Sequence, residues 1–98
     1  MKTFEDLVFK PHILAKEAKE IRDDRPEVWK QVPSLHTNID ALHAKMILNG
    51  KELSVIFGEM FYSNGVDTYE AWNQTDDNEP RGYLTKDEVT QMMKEMQS

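Results

Sequence analysis

The sequence predicts a single small α+β domain, in which an antiparallel meander of three strands packs on a C-terminal helix beside an additional N-terminal helix. Three observations lead to this fold class: an Asn49-Gly50 dipeptide between two apolar runs, a helix-capping pattern at Thr85, and a length of 98 residues. Asn-Gly favours a two-residue hairpin turn, because a type I′ turn needs positive φ at both central residues. A chain of this length forms one domain, residues 1–98, with a modest core.

The two-residue turn also predicts the register of the hairpin, with Leu48 facing Lys51 and the pairing continuing outward from there. Because side chains alternate along a strand, one face collects six apolar residues. They are Ala44, Met46, Leu48, Leu53, Val55 and Phe57. The other face is mixed and carries Lys45, Ile47, Glu52, Ser54 and Ile56. The first face is therefore the predicted core.

Extended segments are predicted on both sides of the hairpin. Residues 7–10 form a short extended segment at a sheet edge, since an edge tolerates a nearby proline. Residues 66–72 alternate and are rich in β-forming side chains, which predicts a third strand with Tyr69 and Trp72 on opposite faces. The polar residues 73–81 are predicted to form an exposed loop.

The C-terminal helix carries the clearest local signals. Thr85 as N-cap and Glu88 three residues later form a capping box, with Leu84 and Val89 placed as a hydrophobic staple. One apolar stripe follows at helical spacing and is expected to face the sheet. It consists of Val89, Met92, Met93 and Met96.

The N-terminal helix is predicted over residues 14–25, with Leu14, Ala18 and Ile21 in one apolar stripe and charged side chains on a solvated face. Pro26 interrupts this helix or starts a new turn at its first position. Residues 34–41 fit either a loop or a short helix, and a strand is expected from about His43.

The composition narrows the classes of function. Twelve basic and 18 acidic residues give a formal charge of −6, and the lysines are scattered, which disfavours nucleic-acid binding. Since cysteine is absent, disulfides, thiolate chemistry and cysteine-based zinc sites are excluded. No apolar run is long enough to span a membrane, so we expect a cytoplasmic protein without a membrane partner.

Residues 77–88 resemble an EF-hand calcium loop at five positions. These are Asp77, Glu79, Gly82, Leu84 and Glu88. However, Arg81 places a cation where a ligand oxygen belongs, Pro80 stiffens the loop, and an entering helix is not predicted. An acidic loop before a capped helix explains the same residues, so we expect no calcium binding.

Catalytic and metal-binding patterns are equally weak. His12, His36 and His43 are dispersed without a carboxylate at ligand spacing, which is typical of structural histidines. Ser34, Ser54 and Ser63 lie in no nucleophile-elbow context. The sequence therefore predicts no enzyme, no catalytic residue, no metal and no cofactor.

Five stretches resemble a group of small tailed-bacteriophage and prophage proteins of unknown function. They are MKTFEDLVFKPH at residues 1–12, AKMILNG at 44–50, SVI at 54–56, TYE at 68–70 and GYLTKDEV at 82–89. The matching residues are those of turns, strands and a helix cap, and the resemblance does not extend to residues 13–43. It implies a phage or prophage origin and a small α+β fold, and it transfers no active site.

The resulting expectation is a non-enzymatic accessory protein of phage type that binds another protein, such as a host or defence factor. Alternatives are a small structural or assembly component acting as an oligomer, and a degenerate EF-hand-like calcium-binding module. Exposed aromatic side chains are the predicted partner surface, because such residues are enriched at interface hot spots. The candidates are Trp29, Phe61, Tyr62 and Trp72.

Overall fold

The computed structural model describes residues 1–58 and 63–98 and shows an α+β fold. Five antiparallel strands form one sheet in sequence order: β1 (Lys10–Pro11), β2 (Leu42–Leu48), β3 (Lys51–Phe57), β4 (Tyr69–Asn73) and β5 (Arg81–Leu84). The helices are α1 (Ile13–Asp24), α2 (Pro26–Gln31), α3 (Pro33–Asn38) and α4 (Lys86–Gln97), and a 3-10 turn covers Phe4–Asp6.

The predicted three-stranded meander is thus the centre of a five-stranded sheet. The edge strands β1 and β5 contain two and four residues, which is too short for a readable alternation. The extended segment predicted at residues 7–10 pairs only from Lys10 onward and includes Pro11, as an edge position allows. Arg81, predicted to end the exposed loop, instead begins β5.

The hairpin is confirmed in register and in turn geometry. Leu48 pairs with Lys51, and the pairing continues outward to Leu42 with Phe57. Asn49 and Gly50 have φ values of 52° and 77°, the positive values that this turn requires.

The core lies between one face of the sheet and a layer made by α4 and the 3-10 turn. Its buried members are Phe4, Leu7, Ala44, Leu48, Leu53, Val55, Tyr69, Ala71, Val89, Met92, Met93 and Met96. The predicted hairpin face and methionine stripe are therefore confirmed. Thr85 and Glu88 form the predicted capping box, with reciprocal hydrogen bonds of 3.1 and 3.3 Å.

The third strand begins at Tyr69, three residues later than the predicted 66–72. The Asn64 side chain explains the difference, because its Oδ1 accepts hydrogen bonds from the backbone N–H groups of residues 66, 67 and 68. An asparagine that captures these donors holds the segment in a turn rather than in the sheet.

The first three helices pack on one another and form the helical half of the molecule, residues 13–38. Prolines begin both α2 and α3, where a missing N–H costs nothing. The ambiguous segment 34–41 is helical up to Asn38, and β2 starts at Leu42. Within residues 1–58 and 63–98, no helix is long and apolar enough to cross a bilayer.

Candidate functional site

The face of the sheet opposite the core, here called the outer face, carries His43, Lys45, Glu52, Ser54 and Glu70 of the three central strands. The register aligns them in rows across the sheet: Lys45 beside Ser54 beside Trp72, and His43 beside Ile56 beside Glu70. β1 adds Lys10, which is paired directly with His43. The outer face therefore becomes basic toward the β1 edge.

An open groove of about 530 Å³ lies at this basic edge and is here called the cationic groove. Its lining residues are Val8, Lys10, Pro11, Lys16, His43 and Lys45. β1 supplies Lys10, β2 supplies His43 and Lys45, and the second turn of α1 supplies Lys16. No carboxylate lines the groove, and none of its three lysines forms an ion pair with a carboxylate in the described part of the chain.

Two histidines meet at the groove. The rings of His12 and His43 lie 5.5 Å apart between centroids, because β1 leads directly into α1 while pairing with β2. His12 caps α1: its Nδ1 accepts a hydrogen bond of 3.1 Å from the N–H of Leu14. His43 Nε2 lies 2.7 Å from the Oγ of Ser54 on β3. Both rings are thus held in place by neighbouring elements.

The electrostatic surroundings favour neutral imidazoles. Partial burial lowers the pKa of His43 from its ordinary value, and the positive charges of His12 and Lys45 lower it further. Partial burial also lowers the pKa of His12. On the same face, partial burial raises the pKa of Glu70. At neutral pH the charge of the groove therefore comes from its lysines.

The distance between His43 and Ser54 is that of a base and a nucleophile, but the surroundings do not suit acyl transfer. Ser54 is only 5% exposed. It pairs on both sides, with Lys45 and with Trp72, in the middle of the sheet. Strand backbone N–H groups in such a position are used by the sheet rather than aimed at an oxyanion. The pair is better explained as a hydrogen bond that orients His43 in the groove.

The predicted aromatic residues do not form one surface in the part of the chain that is described. Trp72 is half-buried on the outer face, and its Nε1–H donates a hydrogen bond of 2.9 Å to the carbonyl of Asp77. Trp29 lies on α2 and stacks on His36 of α3 at 4.1 Å. Phe61 and Tyr62 lie outside the described residues. Of the two candidates that the structure describes, Trp72 lies on the face that carries the cationic groove and Trp29 does not.

The EF-hand-like segment has a different geometry from a calcium loop. The carboxylate of Glu88 accepts a hydrogen bond from the backbone N–H of Thr85. The carboxylate of Asp77 lies 3.9 Å from the guanidinium of Arg81. The middle of the segment is strand β5. Among residues 1–58 and 63–98, no group of three or more histidine, aspartate or glutamate side chains is placed to hold a metal ion.

Sequence reasoning missed the cationic groove because its residues are far apart in the chain. Lys10, Lys16 and Lys45 were interpreted as scattered charges. The predicted hairpin register did place Lys45 on the outer face, and residues 7–10 were predicted at an edge. The missing information was that this edge lies beside β2, which brings Lys10 next to His43.

Comparison with known proteins adds no assignment. No protein-family model, curated protein sequence or solved structure matches the chain. The functional conclusion therefore depends on the geometry and charge of the described residues.

Proposed function

We propose that this chain is a non-enzymatic accessory protein that binds another protein, and that the cationic groove receives an acidic segment of that partner. The observation that carries the proposal is the gathering of Lys10, Lys16 and Lys45 around one groove that no carboxylate of the described residues lines, on a chain of net charge −6. Lysines from three elements that have no described ion-pair partner present unneutralised positive charge to a ligand.

Apolar surface beside the lysines favours a protein segment over a small anion. Val8 is 69% exposed, and it lines the groove together with Pro11. A segment that alternates acidic and aliphatic side chains would satisfy both kinds of surface. Trp72 lies in the same row as Lys45 and offers an aromatic contact farther along the outer face.

The net charge of the chain favours a protein over nucleic acid as the anionic ligand. A nucleic acid carries a phosphate at every nucleotide. A strand that extended beyond the groove would therefore be repelled by the acidic remainder of the protein surface. A short acidic segment would not. The resemblance to small phage proteins supports a host or defence factor as the source of that segment, by analogy alone.

The test is a binding titration with a fluorescein-labelled peptide rich in aspartate with interspersed leucines, followed by fluorescence anisotropy. We expect saturable binding that weakens with added salt. The double variant Lys10→Glu/Lys45→Glu should bind at least about tenfold more weakly, because each reversed charge replaces an attraction by a repulsion. The matched control is Lys19→Glu/Lys30→Glu, which reverses two exposed lysines outside the groove and should retain binding.

Two outcomes would overturn the proposal. Equal affinity for the groove variant and the control variant would show that the peptide binds elsewhere or only through net charge. Displacement of the peptide by a single-stranded oligonucleotide at lower concentration than by unlabelled peptide would assign the groove to nucleic acid. Circular dichroism of each variant shows whether the fold is retained.

The second candidate is a structural component that acts as an oligomer. A separate groove near the end of α1 is lined by Glu17, Glu20, Ile21, Asp24 and Arg25, and is mainly acidic. If the cationic groove of one copy received this acidic surface of another, the contact would be head-to-tail and would build rings or open filaments. Sedimentation velocity at several concentrations and salt levels distinguishes the two: a monomer throughout rejects self-assembly.

A further inference from the structure

We propose that proton uptake by His43 strengthens binding of an acidic segment in the cationic groove, while protonation of His12 opposes it by releasing the start of α1. The proposal rests on the proposed function, because it describes the regulation of the same site. It assigns different roles to two neighbouring histidines, and the two roles can be separated by substitution.

The position of His43 couples it directly to a ligand. Its ring lines the groove, between Lys10 on β1 and the Ser54 hydroxyl on β3. A carboxylate bound among the lysines would therefore lie close to this ring. A protonated imidazole adds one positive charge and one N–H donor at that place.

The charged groups around His43 disfavour its protonated form when no ligand is bound. β1 contributes Lys10, α1 contributes Lys16, and β2 contributes Lys45, with His12 ahead of α1. On the β3 side its neighbours are Ser54 and Ile56, and the carboxyl group in its row is that of Glu70 on β4, beyond Ile56. Partial burial lowers the pKa of His43, and the positive charges of His12 and Lys45 lower it further. A bound anion opposes them and raises it.

Linkage then makes the effect reciprocal. If the ligand raises the pKa of His43, protonation must raise the affinity for the ligand by the same factor. A rise of one pKa unit corresponds to about tenfold tighter binding to the protonated form. The largest change in affinity is expected below the ordinary histidine pKa of about 6.5.

His12 acts in the opposite direction because its lone pair is already used. Its Nδ1 accepts the Leu14 N–H and so caps α1, and a protonated imidazole has no acceptor nitrogen. Protonation would also place a positive charge at a helix N-terminus, where the dipole disfavours it. Since the second turn of α1 carries Lys16, loosening its start moves one of the groove lysines.

The experiment measures the affinity of the aspartate-rich peptide at about pH 7.5 and about pH 5.5, where aspartate stays ionised and histidine titrates. For the unmodified chain we expect tighter binding at the lower pH, by a factor of up to about tenfold. His43→Gln should lose the enhancement and bind somewhat more weakly at the lower pH, because only the opposing protonation of His12 remains. His12→Asn keeps a capping acceptor without a titrating ring, so it should keep the enhancement or increase it.

A second measurement keeps the inference testable if a variant does not fold. NMR titration of the histidine ring protons in the unmodified chain should show the pKa of His43 rising by about one unit when the peptide is added. Binding that is tight but independent of pH, with an unchanged His43 pKa, would overturn this inference and leave the proposed function intact. Peptide binding that is lost at both pH values would overturn both.

Discussion

The sheet with α4 and the helical half are both built from regular structure but bury different side chains. Beneath the sheet the largest fully buried side chains are those of Leu53, Val55, Val89 and Met93. In the helical half the buried residues are Ala15, Ala18 and Asn38, and the Oδ1 atom of Asn38 is buried without a hydrogen-bond partner. Free energy of folding from apolar burial is therefore concentrated in the sheet and α4.

The contrast shows that the length and amphipathicity of a helix do not determine how large the side chains are that it buries. α1 has 12 residues, as does α4, and both are amphipathic. Yet α4 buries a valine and three methionines in the core, whereas the buried residues of α1 are two alanines. We expect the helical half to open locally at lower free energy than the sheet, since local stability follows buried apolar contact.

The largest expected effect on stability is the difference between two leucine-to-alanine substitutions, one in each half of the molecule. Leu53→Ala removes a side chain that is 1% exposed and should lower the free energy of unfolding by about 3 kcal/mol. Leu35→Ala removes a half-buried side chain of α3 and should lower it by about 1 kcal/mol or less. Urea denaturation followed by tryptophan fluorescence checks both variants. Equal losses would mean that the two halves are packed equally well.

The next test concerns the hairpin turn within the sheet. Gly50→Val should lower the free energy of unfolding by about 1–2 kcal/mol, because a β-branched residue resists the φ of 77°. An added Cβ would meet nothing within 4 Å, so the loss would come from the backbone alone. Gly50→Asn is the matched control and should lose much less, since asparagine tolerates this region. A valine variant as stable as the parent would contradict the turn assignment.

A smaller effect compares threonine hydroxyls in the two halves. Thr85→Ala removes the cap acceptor of α4 and should lower the free energy of unfolding by about 1 kcal/mol. In α3 the Thr37 hydroxyl donates to the carbonyl of Ser34 at the exposed surface, so Thr37→Ala should change stability by less than about 0.5 kcal/mol. Thermal unfolding measured by circular dichroism distinguishes them. A greater loss of stability for Thr37→Ala than for Thr85→Ala would contradict the expectation that the helical half is the less stable part.

The smallest effect concerns Glu70 on the outer face. Its raised pKa means that the folded state holds the proton more tightly than the unfolded state, so stability falls as pH rises from about 4.5 through the folded pKa. Glu70→Gln should therefore be slightly more stable than the parent at neutral pH, with a difference that disappears near pH 4, about the ordinary glutamate pKa. Solvent screening keeps the gain below about 0.5 kcal/mol. Chemical denaturation at both pH values checks the sign.

The hairpin, its register, the capping box and the methionine stripe were all predictable, because each depends on residues within a few positions of one another. A turn at Asn49-Gly50 specifies which residues face one another, and alternation then assigns both faces of the hairpin. The start of β4 was placed too early, since a single asparagine outcompeted strand propensity by capturing three backbone donors.

Neither the cationic groove nor the histidine pair could be predicted in this way. Lys10 and Lys45 are 35 positions apart, and they line one groove only because a two-residue strand docks at the edge of β2. That docking depends on Phe4, Leu7 and Phe9 packing around the core, where Phe4 and Phe9 contact the ring of Tyr69 on β4. Local sequence specifies turns, caps and faces because their energies are local. Which charges become neighbours was decided by burial of apolar side chains between segments distant in the chain.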